Sequence, residues 1–108
     1  MSGPRRVAIT GAGTVNALGR DVPQTLAAMR EGRCGIGPLE FRDVERLSVR
    51  IGAQVRDWRP EDHFNRQQIA LYDRFTQFTL LAAKEAVAQS GLSFQGDLGL
   101  YSGVVLGT

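Results

Sequence analysis

The sequence predicts an α/β fold, and three observations carry that prediction. Two short, mostly apolar and β-branched runs, residues 7–10 and 100–106, each lead directly into glycine. Continuous apolar runs of this length fit strands buried on both faces, as in a parallel sheet. Between them a long stretch, residues 66–90, has helical periodicity, with Asn65 before it and Gly91 after it. Strand, helix and strand in this order describe a right-handed βαβ crossover with the first and last strands parallel.

The remaining elements follow in chain order. Val7-Ala8-Ile9-Thr10 runs into Gly11-Ala12-Gly13, whose glycines turn the chain tightly where backbone packs on backbone. Asp21 caps a first helix over residues 23–31, with proline in its first turn and Gly32 as a left-handed stop. Residues 32–40 hold Gly32, Gly35, Gly37 and Pro38 and are expected to be loop. Over residues 47–56 the period changes to two: Leu47, Val49, Ile51, Ala53 and Val55 alternate with Ser48, Arg50, Gly52, Gln54 and Arg56. Such alternation predicts a half-exposed strand with its arginines toward water. In the long helix, Ile69, Tyr72, Phe75, Ala82, Ala83, Ala86 and Val87 share one face, and the alanines would let a neighbouring element approach closely.

The chain has 108 residues, enough for one core and too few for two. Its 43% apolar and 22% charged residues exclude a disordered tail, a collagen-like chain and a disulfide miniprotein. The net charge is only +2, and no basic run exceeds Arg5-Arg6, so no nucleic-acid partner is expected. The single Cys34 cannot form an internal disulfide, which points to a reducing cytoplasm. No stretch approaches the ~18–20 apolar residues of a membrane span, and no secretory signal is visible. Two parallel strands and one large helix would leave apolar surface on the far face of the sheet. Nothing in the chain covers it, so residues 1–108 are expected either to pair extensively with another chain or, the favoured reading, to be the N-terminal part of one domain in a longer protein, with no second domain present.

The chemistry-bearing residues are few. A dinucleotide fingerprint needs a third small residue three positions after its second glycine, and that position is Asn16. Cys34 lies in a glycine-rich segment with no general base evident and is expected to be a free structural thiol. His63 alone is too little for a metal site, which needs three or four ligands, and is expected at the surface near a helix start. Of 13 basic residues 12 are arginine, scattered among acids and therefore mostly solvated or locally paired. Arg50, Arg56, Arg59 and Arg66 are the set that could face an acidic partner.

Four stretches, in order, resemble the N-terminal portion of a β-ketoacyl-acyl carrier protein synthase, a thiolase-fold condensing enzyme. They are residues 5–15 (Arg-Arg-Val-Ala-Ile-Thr-Gly-Ala-Gly-Thr-Val) with Leu18-Gly19, and Gly32-Arg33-Cys34-Gly35-Ile36 with Pro38. Third come Asp73-Arg74-Phe75-Thr76-Gln77-Phe78, Ala82-Ala83-Lys84-Glu85-Ala86 and Ser90-Gly91-Leu92; Gly103-Val104-Val105-Leu106-Gly107-Thr108 is the last. The resemblance implies a thiolase-like α-β-α-β-α layered fold, of which this chain is an incomplete N-terminal part. It implies an acyltransferase extending acyl chains by decarboxylative condensation with a malonyl thioester on acyl carrier protein, in fatty acid or polyketide synthesis. It also implies a homodimer, or a heterodimer with a same-fold subunit, and no cofactor.

In that family a cysteine at a helix start attacks the acyl thioester, and two histidines and a lysine serve decarboxylation and oxyanion stabilisation. A helix N-terminus lowers a thiol pKa, and backbone N–H groups hold an oxyanion. Family members carry all four residues downstream of the stretch this chain matches, so the chain alone is expected to be inactive. Cys34 stands where the family commonly has serine and is not the nucleophile. Gly107 and Thr108 lead, in relatives, into a glycine-rich turn bordering the acyl pocket, which makes them the candidate pocket-approach residues. Carrier-docking relatives place several basic residues at the start of the long helix. Here Arg66-Gln67-Gln68-Ile69-Ala70-Leu71 has one, so Arg66 is the candidate carrier contact. A non-condensing, chain-length-setting partner subunit of the same fold is the alternative.

Overall fold

The computed structural model describes residues 3–107. Its elements are α1 (Val22–Arg30), β1 (Ile36–Pro38), β2 (Ile51–Ala53), α2 (Arg66–Leu71), α3 (Arg74–Ser90) and α4 (Asp97–Leu100). Single 3₁₀ turns at Val44–Arg46 and Pro60–Asp62 punctuate the connections. None of the described helices is long and apolar enough to cross a membrane.

The local capping chemistry forms as the sequence predicts. Asp21 accepts from the Gln24 amide, with Pro23 in the first turn of α1, and Gly32 after the helix has φ +68°. Asn65 accepts from the Gln68 amide while the Gln68 side chain accepts from the Asn65 amide, a reciprocal capping box opening α2. Gly91 closes α3 at φ +67°.

The expected parallel sheet does not form. The only described sheet is a two-stranded antiparallel pair, Ile36 opposite Ala53 and Pro38 opposite Ile51. Residues 7–10 and 102–106 carry no regular secondary structure and are unpaired, Tyr101 is a turn residue, and Leu100 ends α4 instead of opening a strand. The physical reason is the lack of neighbours. Val7 and Ile9 are each 91% exposed and Val104 is 92% exposed, so neither run has a ladder to join or a layer to bury against.

Two further expectations change. The glycine-rich stretch 32–40 contributes β1, because pairing with β2 outweighs its loop-like composition; the ladder continues with Leu39 N donating to Arg50 O at 2.9 Å. The alternating stretch 47–56 is a strand only over Ile51–Ala53, and its apolar side faces outward. Val49, Ile51 and Ile36 stay largely exposed on one bare face of the pair, while Arg56 is half-buried. The long helix is broken at Tyr72-Asp73 into α2 and α3, with Asp73 recapping the chain by accepting from the Thr76 amide.

The core is correspondingly small. Ala28 is the only buried apolar residue among those described. The chain exposes 9123 Å², against roughly 5,900 Å² for a folded monomer of its mass. Its radius of gyration is 17.7 Å, where a compact domain of this length has about 13 Å.

Candidate functional site

A close backbone contact joins the glycine turn to α3. A Cβ on Gly11 would lie 3.0 Å from the Ala86 carbonyl carbon, and one on Gly13 would lie 2.7 Å from that of Ala82, with the carbonyl oxygens closer still. Glycines on one side meet alanines on the other, so two backbones approach without side chains between them. Two amides of the turn are already engaged. Ala12 N donates to Gln89 Oε1 at 2.7 Å and Thr14 N to Glu85 Oε1 at 2.9 Å. The other Glu85 oxygen accepts from Val22 N, the first amide of α1, also at 2.9 Å. A carboxylate thus stands where a phosphate would have to accept. That arrangement favours the packing role of these glycines over a nucleotide site.

Asn16 completes the turn. Its Nδ2 donates to Thr14 Oγ1 and Thr25 Oγ1, both at 2.9 Å, and its Oδ1 accepts from Leu18 N at 2.8 Å and Gly19 N at 3.2 Å. Sequence reasoning treated Asn16 only as the residue that spoils a fingerprint. Glu85, given no role from sequence, is half-buried and ties the turn and α1 to α3. An acid beside the alanine face was the available signal.

A second cluster surrounds Trp58. His63 stacks on its ring with centroids 5.2 Å apart, and Phe78 meets it edge-on at 4.8 Å. The Arg20 guanidinium lies 5.9 Å from the ring centroid. Trp58 Nε1 donates to Gln77 Oε1 at 2.7 Å, and Gln77, 5% exposed, is the one buried polar residue described. The sequence reading singled out neither Trp58 nor Gln77.

The predicted site residues are not brought together. Gly107 lies in the exposed extended tail after α4 and makes no hydrogen bond among the described residues; Thr108 lies outside them. Arg66 is the exposed first residue of α2, with no ion pair among the described residues. The four-arginine set divides. Arg50 is spent on the Leu47 and Glu45 carbonyls, at 3.2 and 2.7 Å. Arg56 pairs with Glu40 at 2.8 Å and bonds the Pro38 carbonyl. Among the described residues, Arg59 and Arg66 are without such contacts.

Cys34 is a free, exposed thiol whose one hydrogen-bond contact is the Ile36 carbonyl at 4.0 Å, and His63 is exposed in its stack with Trp58. Replacing Cys34 with serine in the native polypeptide should leave its activity within about twofold, since an exposed thiol contributes little packing. The same residue should react readily with a thiol reagent under native conditions. Loss of an acyl-enzyme in C34S would contradict its assignment as a structural thiol.

Comparison with known proteins identifies the family. Residues 4–108 match the family model described as "Beta-ketoacyl synthase, N-terminal domain". The chain is 44% identical over 89 residues to nodulation protein E of Rhizobium sp. (strain N33), covering 82% of this chain and 22% of that protein. It is 33% identical over all 108 residues to 3-oxoacyl-[acyl-carrier-protein] synthase 2 of Staphylococcus aureus (strain N315), 26% of that protein's length. With nodulation protein E of Rhizobium meliloti (strain 1021) the identity is 38% over 103 residues, 95% of this chain and 25% of that protein. The chain belongs to the beta-ketoacyl synthase N-terminal domain family. It spans about a quarter of the length of these curated relatives.

Proposed function

We propose that residues 1–108 are the N-terminal part of a β-ketoacyl-acyl carrier protein synthase, a cytoplasmic acyltransferase of fatty acid or polyketide synthesis. The family match over residues 4–108 carries this reading. In it, the longer protein condenses an acyl group with malonyl-acyl carrier protein, losing carbon dioxide, and works as a dimer of thiolase-like layered subunits. The bare apolar runs 7–10 and 101–106 support the layered arrangement, because a central sheet with helices on both sides is what would bury them.

This segment supplies scaffold and approach, and the nucleophile lies elsewhere in the protein. The glycine turn, clamped on α3 by Glu85 and Gln89, fixes the direction in which residues 7–10 enter the sheet. Gly107 and Thr108 border the way to the acyl pocket, and Arg66 meets the carrier protein. One charge at the start of α2, where carrier-docking relatives have several, favours the second reading, a non-condensing partner subunit of the same fold.

The test is single-turnover chemistry on the purified native protein. Acyl-carrier protein alone should add one acyl group to the protein by mass, and malonyl-carrier protein should then release a 3-oxoacyl product. Absence of both, with the protein folded and supplied with its subunits, would contradict the condensing reading. Acylation confined to a co-purifying subunit would establish the partner reading instead.

A further inference from the structure

The stretch 66–90 contains neither proline nor glycine, and its apolar period runs without interruption, yet the helix is broken. In a continuous helix the amides of Asp73, Arg74, Phe75 and Thr76 would bond the carbonyls of Ile69, Ala70, Leu71 and Tyr72. The break leaves the first three without a backbone partner among the described residues. Only Thr76 N recovers one, Asp73 Oδ1 at 3.0 Å. Backbone energetics alone would therefore close the helix, and something local must hold it open.

Gln77 does so. Its Nε2 donates to the Tyr72 carbonyl at 3.0 Å, the acceptor that Thr76 N would need in the continuous form. Its Oε1 is held in turn by the Trp58 indole at 2.7 Å. Trp58 is a fixed anchor, packed by His63 and Phe78. The start of α3 is anchored as well, through Arg74 Nη2 donating to Val55 O at 2.9 Å. By contrast α2 buries none of its residues, and Leu71 is 80% exposed. A change at the break would consequently move α2 and leave α3 in place.

We propose that Gln77 is a positioning residue: by tying the Tyr72 carbonyl toward Trp58 it holds α2 and α3 apart and sets where α2 presents Arg66. The second half rests on the carrier-contact reading of Arg66; the first does not.

The experiment is amide hydrogen exchange on the native full-length protein that carries this chain. Gln77→Met keeps the side-chain volume and removes both hydrogen bonds. Exchange at residues 73–75, fast in the parent, is expected to slow about tenfold or more as the helix closes through the break. A purely structural role would move exchange the other way, speeding it across α3. Unchanged or faster exchange at residues 73–75 overturns the proposal. If Gln77→Met fails to fold, Trp58→Phe replaces it, keeping a ring against Phe78 while releasing Gln77 Oε1, and the same slowing or its absence decides.

Carrier-protein affinity is then compared for Gln77→Met and Arg66→Ala. Weakening in both, several-fold and of similar size, supports the presentation of Arg66 by α2. Parent-like affinity in Arg66→Ala overturns the carrier contact, while the exchange result still judges the clasp.

Discussion

Residues 1–108 produced alone will show no cooperative thermal transition and will bind a hydrophobic dye strongly. Ordering each residue costs about 1–2 kcal/mol of backbone entropy, and burial of apolar surface is the main offset. Among the described residues one apolar residue is buried, and the exposed set includes Val7, Ile9, Leu71, Leu100, Val104 and Val105. Its surface exceeds that of a compact monomer of its mass by roughly 3,200 Å². The helices and the glycine turn carry good local hydrogen bonds, so far-ultraviolet circular dichroism should report helix while near-ultraviolet signals stay weak. That combination is the signature of a loose, dye-binding globule. Addition of the remaining polypeptide should restore a sharp transition. A monomeric, two-state melt from residues 1–108 by themselves would contradict the need for further cover.

Gly13→Ala should be the most damaging single-atom addition in the segment. Overpacking a side chain into a filled site costs typically about 1–3 kcal/mol, and the site relaxes when a neighbouring side chain can rotate away. Here no rotation helps, because the added Cβ meets the Ala82 carbonyl, and Ala82 Cα is only 3.1 Å away. Relief requires the turn to lift from α3, which would also strain the hydrogen bonds of Ala12 to Gln89 and Thr14 to Glu85. We expect a loss of about 3 kcal/mol or more in the native protein, measured by denaturant unfolding, with Gly11→Ala close behind. As a control, alanine at Gly103, where nothing lies within 4 Å, should cost far less. Equal effects at Gly13 and Gly103 would show that the close approach is not what the glycine serves.

What the sequence made legible was local. Asp21, Asn65 and Gly91 act on backbone groups within three residues of themselves, so their capping roles follow from residue type and position alone. The backbone packing of Gly11 and Gly13 and the close approach permitted by the alanine face were each readable. That they are two sides of one contact was not, because the partners lie about 70 residues apart in the chain. The break at Tyr72-Asp73 escaped for a similar reason. The apolar period continues through it, and the side chain that holds it open is fixed by Trp58, from outside the helix.

The arginines and the strands show the other limit. Arg50 and Arg56 alternate with apolar neighbours as solvent-facing residues would, yet both fold back on backbone carbonyls of their own hairpin. Residues 7–10 and 101–106 have strand composition, but a strand is a property of a pair, and each run lacks its partner. The site residues share that difficulty: Arg66 and Gly107 are expectations from resemblance, and on the proposed reading what they face lies in the rest of the protein.

If this segment is the scaffold and approach of a longer condensing enzyme, the native polypeptide carrying it has an intact mass roughly four times the 11.8 kDa of residues 1–108, as the length of the relatives implies. A native polypeptide of 11.8 kDa would contradict it, leaving no room for the nucleophile or for the layers that would cover residues 7–10 and 101–106.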